Sequence, residues 1–461
     1  MSTTANTTTR LTPRLSLASI VLFGLAYMSP AIVMLTFGVI GTASAGAAPA
    51  AYLLATLAMS LTALSYGKMA RLFPVSGSAY TYARKVIGSR VGFLVGWAIL
   101  LDYFFLPMVA WLISALYLNA QFPLIPVWGW LLIQIVFTTT INVLGVVLAD
   151  RVNKVLMSLT VIGIVTFVFM CLQHLGTDAP ESLTAPFWNS TTSVAAISAG
   201  AAIAAYSFLG FDAISTLSEE TINPRRNIPR GILLAVLVGG LIFTAVSYVM
   251  QLVNPTTNFE DPSVAAYAMS AVVGGETFAD IINLFIMVGG FASCLAIQAS
   301  TSRLMYVMGR DGVLPRRFFG RLHPKLKTPA LNILLVGVVG MFAVNLSLET
   351  AASFINFGAF LTFAVVNICV VVYFVRQRRR HQKLAILGFL LLPVLGALVD
   401  LYLLTQLGPT AIYLGLGWMA LGIVYLAVLT RGFRTTPPEM DMATTEPTQH
   451  HETPATTLTR S

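Results

Sequence analysis

The sequence predicts an all-α polytopic membrane protein with about 12 transmembrane helices. Three observations carry this. Apolar runs long enough to cross a bilayer recur along the whole chain. Hydrophobic residues make up 57% of the 461 residues and charged residues only 10%, against about 25% charged in a typical soluble domain. Every Lys and Arg falls on one side once the runs are threaded back and forth across a bilayer. Mean hydropathy is +0.81, and a water-soluble fold could not hide that apolar surface, because soluble monomers expose few large apolar patches.

The runs lie near 16–42, 50–72, 91–118, 126–149, 154–173, 193–217, 231–254, 278–308, 329–347, 350–375, 384–405 and 410–430. Residues 1–15 are polar and expected to be disordered. The first run is too long for a signal-peptide core and no small-residue cleavage site ends it, so it reads as a retained helix. The first five runs (16–173) and the next five (193–375) form two blocks joined by an extracytoplasmic loop, 174–192. Two further helices occupy 384–430, and the Thr/Pro/Glu-rich stretch 431–461 is expected to be a disordered tail. Cys171, Cys294 and Cys369 all sit in apolar runs, which excludes a disulfide framework or a cysteine metal cluster.

Orientation follows from charge. With the N-terminus in the cytoplasm, all 27 Lys and Arg fall in cytoplasmic segments, while the outer loops hold Asp178, Glu181, Glu260, Asp261, Glu276 and Glu349. The asymmetry requires an even helix count with both termini cytoplasmic. It also assigns the net charge of +9 to the membrane surface rather than to nucleic acid.

Two spans are interrupted. The first reads Gly24-Leu25-Ala26-Tyr27-Met28-Ser29-Pro30 and the sixth Ser207-Phe208-Leu209-Gly210-Phe211-Asp212-Ala213. A break frees backbone N–H and C=O groups that lipid cannot satisfy, so it survives only against protein or a cavity. Each break opens one block of five spans, and matching interruptions in two halves point to a transporter binding site between inverted repeats. Ordinary packing glycines and a proline kink are the plainer alternative. Candidate substrate residues at the breaks are Tyr27, Ser29, Ser207, Phe208, Gly210 and Asp212, with Tyr103 from the third span.

Asp102, Asp212 and Asp400 lie deep within spans, where a charge costs roughly 2.5–3.5 kcal/mol on insertion scales. Asp212 is suited to three roles: binding a substrate ammonium, carrying a coupled proton, or capping the broken helix through its free N–H groups. Asp102 is suited to coupling or to an interhelical hydrogen bond. Asp400, outside both blocks, reads as structural. No Lys or Arg is expected inside a span to pair with these acids, which leaves room for a cationic ligand. No His lies in a span either, which argues against a histidine proton relay. Glu219 and Glu220 end the sixth span and fit either an inner gate with Arg14, Lys68, Arg71 or Arg225, or a solvated salt-bridge cluster. Tyr27, Tyr103, Tyr206, Phe208 and Phe211 are suited to cation–π packing on an ammonium, or to the core.

At these residues the chain resembles the amino acid–polyamine–organocation transporter superfamily. The resemblance rests on Phe73-Pro74-Val75-Ser76-Gly77-Ser78-Ala79-Tyr80-Thr81-Tyr82, on Ser207 to Asp212, and on Ser218-Glu219-Glu220-Thr221. It extends to Leu100-Leu101-Asp102-Tyr103, Tyr306 to Gly312, Thr328 to Asn332 and Ile355 to Ala359, covering roughly residues 15–430. Within the superfamily the pattern is most similar to the bacterial putrescine importers. The resemblance implies a leucine-transporter-type 5+5 inverted repeat plus two C-terminal helices. It implies alternating-access import of putrescine or a related amine, driven by the proton-motive force with no cofactor, in the bacterial inner membrane. It implies that Tyr103 and Glu220 contact substrate, and that the carrier is a monomer or homodimer whose partners are lipid and a small amine or amino acid. An amino acid permease or exchanger of the same fold is the alternative.

Two departures bear on substrate. Tyr27-Met28-Ser29-Pro30-Ala31 replaces the Gly-Ser-Gly-type loop that holds a carboxylate in amino acid members, and Val33-Met34-Leu35-Thr36 lacks the acid expected just after the first break of a putrescine importer. A mono-cation is therefore a serious candidate beside a diamine. Residues 155–172 contain no Lys to serve as a coupling base. Ser293, Ser300 and Thr301 are candidates for a sodium site or for helix packing. Enzyme signatures (His-Glu-x-x-His, Gly-x-Ser-x-Gly, a phosphate-binding Gly-rich loop) are absent from the sequence. A channel would show a filter repeat or pore-lining ring, and a membrane sensor would carry a signalling domain.

Overall fold

A computed structural model describes residues 15–74, 78–144, 147–180, 182–218, 221–255, 259–326 and 328–438. Among them, ten helices are long and apolar enough to cross a membrane, and the bent pair Leu17–Met28 and Ile32–Ala43 makes an eleventh span. A shorter apolar stretch, Ala330–Asn345, stands at the place of the ninth predicted span. In lipid every backbone polar group must be satisfied within the chain, which makes helices the natural solution for these runs. Starts are set locally. Ser16, Ser193 and Ser347 cap their helices by accepting from the N–H three residues on, and Pro49, Pro224 and Pro409 occupy the first turn, where no N–H partner is missed.

Three boundaries differ from the sequence reading. The fourth span ends at Leu144 and the fifth begins at Val147, so Arg151 and Lys154 lie on the fifth helix itself. The seventh span starts at Pro224, behind Asn223 in a left-handed turn, and not near residue 231. Arg225, Arg226 and Arg230 therefore ride on its first turns. Two helices that do not cross the bilayer were not anticipated. Ser78–Val86 is amphipathic, with Ala79, Tyr82, Ala83 and Val86 buried and Lys85 exposed, and Ala265–Gly274 lies between the seventh and eighth spans. Asp280, near the start of the eighth helix, is a further acid and accepts from the Tyr267 hydroxyl at 2.8 Å.

The polar contacts that lock the bundle are specific. Trp97 and Trp418 stack at 5.0 Å and each donates its indole N–H to the other's carbonyl, tying the third span to the twelfth. The side chain of Gln298 accepts from Asn142 at 2.9 Å and donates to Thr139 at 2.8 Å, joining the fourth and eighth spans. Asp400 is fully buried and one of its oxygens accepts from Thr62 and from Asn367, both at 2.9 Å, clamping the second, tenth and eleventh spans.

Candidate substrate site at the crossing of two broken spans

Both interruptions are real breaks. The first helix stops at Met28, Ser29 adopts φ 50, and the chain resumes at Ile32 with its axis turned by 51°. In the sixth span the α-helix Val194–Ala204 tightens to 3-10 over Ala205–Phe208, turns at Gly210 and resumes as a 3-10 helix over Asp212–Leu217. The orphaned carbonyl of Ala202 is satisfied by the Asn356 amide at 2.7 Å. Gly210 is required twice over. Its φ of +110 is costly for any residue with a Cβ, and a Cβ there would stand 2.0 Å from the Tyr27 ring. The first break thus lies directly on the second. Gly24 repeats the arrangement one turn away, against the Ile214 side chain.

Two cavities flank this crossing. One, of about 60 Å³, is mostly apolar and is lined by Ser29, Ile32, Leu35, Tyr206, Leu209 and Met287 among others. The other, of about 270 Å³, is lined by Tyr103, Asp212, Thr216, Ser300 and Arg303, and runs past Val307 and Met308 toward the basic ends of the helices. Tyr27 lines both cavities and so separates them. Its hydroxyl faces Tyr103 and Ser300 without a hydrogen bond of normal length to any described residue.

Among the described residues, Asp212 is the sole acid lining the larger cavity. Its carboxylate stands at the start of the 3-10 segment Asp212–Leu217, within electrostatic reach of the backbone N–H groups around Gly210. A carboxylate has about four acceptor positions, so a role toward the free helix end does not exhaust them. Asp102 is buried, lies within electrostatic reach of Asp212 and lines neither cavity, and its Oδ1 has no partner among the described residues.

Of the other candidates, Tyr27, Ser29 and Tyr103 line the cavities and Gly210 forms the floor under Tyr27. Ser207 and Phe208 face away. The Ser207 hydroxyl bonds Tyr52 at 3.2 Å, which in turn bonds Thr36, and the Phe208 ring meets Phe243 edge-on at 5.2 Å. A tightened 3-10 turn rotates neighbouring residues differently from an α-helix, which aims these two at the second and seventh spans. Glu219 and Glu220 lie outside the described residues. Just beyond them, Ile222 N–H donates to the carbonyl of Leu15 at 3.0 Å, joining the N-terminal segment to the end of the sixth span. Of the candidate sodium-site hydroxyls, Ser293 lines the smaller cavity, Ser300 the larger, and Thr301 donates to the Tyr103 carbonyl at 2.5 Å.

The sequence reading missed Thr216 and Arg303, and had Ser300 only as a candidate for a sodium site or for packing. Arg303 follows from helical spacing, one turn beyond Ser300 on the eighth helix, whereas Thr216 is brought to the cavity by the 3-10 segment that begins at Asp212. Arg303 corrects the expectation that no basic residue enters the site region, because the eighth helix runs two turns past it to Arg310.

A multi-pass helical bundle with two breaks crossing at a cavity is the architecture of a membrane transporter. The model of the amino acid permease family matches residues 19–425, and the chain belongs to that family. The low-affinity putrescine importer PlaP of Escherichia coli K12 is 41% identical over 435 residues, covering 93% of this chain and 96% of that protein. The methylthioribose transporter of Bacillus subtilis is 29% identical over 422 residues, and its branched-chain amino acid permease BcaP 27% over 421, each covering 86% of this chain and 89% of the relative. The protein is a transporter and not an enzyme.

Proposed function

We propose that the chain imports putrescine or a closely related small amine, coupled to the proton-motive force, across the bacterial inner membrane. Residues 16–173 and 193–375 act as inverted repeats that alternate access around the crossing of their broken first helices. The basic ends of the helices face the cytoplasm, so the larger cavity is the cytoplasmic vestibule. Asp212 carries the reading: a lone acid in an aromatic-walled cavity, with acceptor positions to spare, suits an ammonium group. Tyr27 and Tyr103 present ring faces and hydroxyls to the same space. The likeness to a putrescine importer over nearly the whole chain supports the substrate class.

An amino acid substrate is the second reading. One observation favours it, namely the guanidinium of Arg303 in the same cavity as Asp212, a pairing of signs that suits a zwitterion.

The test is uptake of radiolabelled putrescine into proteoliposomes under an imposed inward proton gradient, with choline replacing sodium. Gradient-driven uptake competed by diamines supports the amine reading. Uptake that requires sodium overturns the proton coupling. Absence of putrescine uptake, with a labelled amino acid taken up instead, moves the substrate to the second reading.

A further inference from the structure

Among the described residues the larger cavity has one acid and one base on its walls, Asp212 from the sixth span and Arg303 from the eighth. Arg303 is exposed and makes no ion pair or hydrogen bond among the described residues. Asp212 and Thr216 line one side, four residues apart along the 3-10 segment, and Ser300 and Arg303 line the other, about one α-helical turn apart. Arg303, Val307 and Met308 line the same cavity as Asp212, so an amine held at Asp212 shares that space with the guanidinium.

Resting on the amine-transport reading, we infer that Arg303 is a specificity-determining residue that disfavours a second positive charge on the substrate, so that the site is better matched to a monocationic amine than to a dication. In a cavity of about 270 Å³ the second ammonium of a four-carbon diamine has nowhere to go that is far from the guanidinium. Two like charges about 8 Å apart repel enough, at an effective dielectric between that of water and of a protein surface, to change affinity by about 3-fold to 10-fold. The stretch Val33-Met34-Leu35-Thr36, just past the first break, holds no second acid to offset this. Arg303 does not touch the amine. It sets the potential through which a charge moves.

The experiment compares wild type with Arg303→Gln, Arg303→Met and Arg303→Lys in proteoliposomes, measuring KM for putrescine and for butylamine. The neutral variants should lower the putrescine KM by about 3-fold to 10-fold while the butylamine KM stays within about 2-fold, and Arg303→Lys should keep the wild-type ratio. A purely structural Arg303 would shift both amines alike. Equal shifts, or a raised putrescine KM in the neutral variants, overturn the inference alone, provided wild type carries both amines. Wild-type protein that moves neither amine overturns the functional reading, and the inference with it.

Discussion

Asp212 and Asp400 are both buried carboxylates in membrane spans, and their surroundings differ in one decisive respect. Asp400 is gripped by side chains: Thr62 and Asn367 both donate to one oxygen, and no cavity adjoining the crossing reaches it. Asp212 has no side chain donating to it among the described residues, stands at the start of a half-helix and faces a 270 Å³ cavity. Burial of an acid in a membrane span is therefore a weak guide to where substrate binds. An acid whose spare acceptor positions open into a cavity is a strong one. The two are also mechanically linked. Tyr66 lies one turn from Thr62, and Phe363 one turn from Asn367, and both rings pack on Phe211, next to Asp212, at 5.7 and 5.1 Å. The Asp400 clamp is the backing plate for the second break.

The comparison breaks first at Asp212. Asp212→Asn keeps the shape and loses the charge, and losing one partner of a buried charge pair costs about 2–5 kcal/mol. Uptake in proteoliposomes should fall by about 30-fold or more, with membrane insertion and detergent-extracted yield unchanged. Normal uptake by a well-inserted Asp212→Asn protein would remove the acid from the site. The next largest effect belongs to the hinge under it. Gly210→Ala forces a Cβ into the left-handed region, about 1–2 kcal/mol, and into the Tyr27 ring. Uptake should drop by about 10-fold, and Tyr27→Ala, which removes the clash but not the backbone strain, should not restore it fully.

Asp400 sharpens the contrast from the other side. Asp400→Leu leaves Thr62 and Asn367 without their shared acceptor, at about 1–3 kcal/mol for each buried orphan. The thermal midpoint in detergent should fall by several degrees and uptake should decline with it. Asp400→Asn retains an acceptor oxygen and should recover most of both. An Asp400→Asn protein that is fully stable yet inactive would give Asp400 a role in the transport cycle and erase the distinction from Asp212.

The span pattern and both breaks were legible in the sequence, because each is written in local composition: length of apolar runs and Gly/Pro in mid-span. Asp212, Tyr27 and Tyr103 were legible for the same reason. Arg303 was not, because span ends blur over a few residues and the eighth helix continues two turns beyond it. Nor was the aim of each side chain at the second break. Residues 207 and 208 sit beside Gly210 in the sequence, but a 3-10 turn sends one to Tyr52 and the other to Phe243. Adjacency to a break does not give a direction, and only the fold of the turn supplies it.

Ser207 tests that last point with the smallest expected effect. If its hydroxyl served substrate, Ser207→Ala would raise KM by the worth of a hydrogen bond to a charged group, about 1.5–3 kcal/mol or more than about 10-fold. Its partner is instead Tyr52, in a buried chain that ends at Thr36, and such interhelical bonds in membranes average about 0.6 kcal/mol. Ser207→Ala should leave KM within about 2-fold and cost only a small part of the thermal midpoint, and Tyr52→Phe should do the same because it removes the same link. A tenfold rise in KM for Ser207→Ala alone, with Tyr52→Phe silent, would mean that the turn reorients during transport and carries Ser207 into the site.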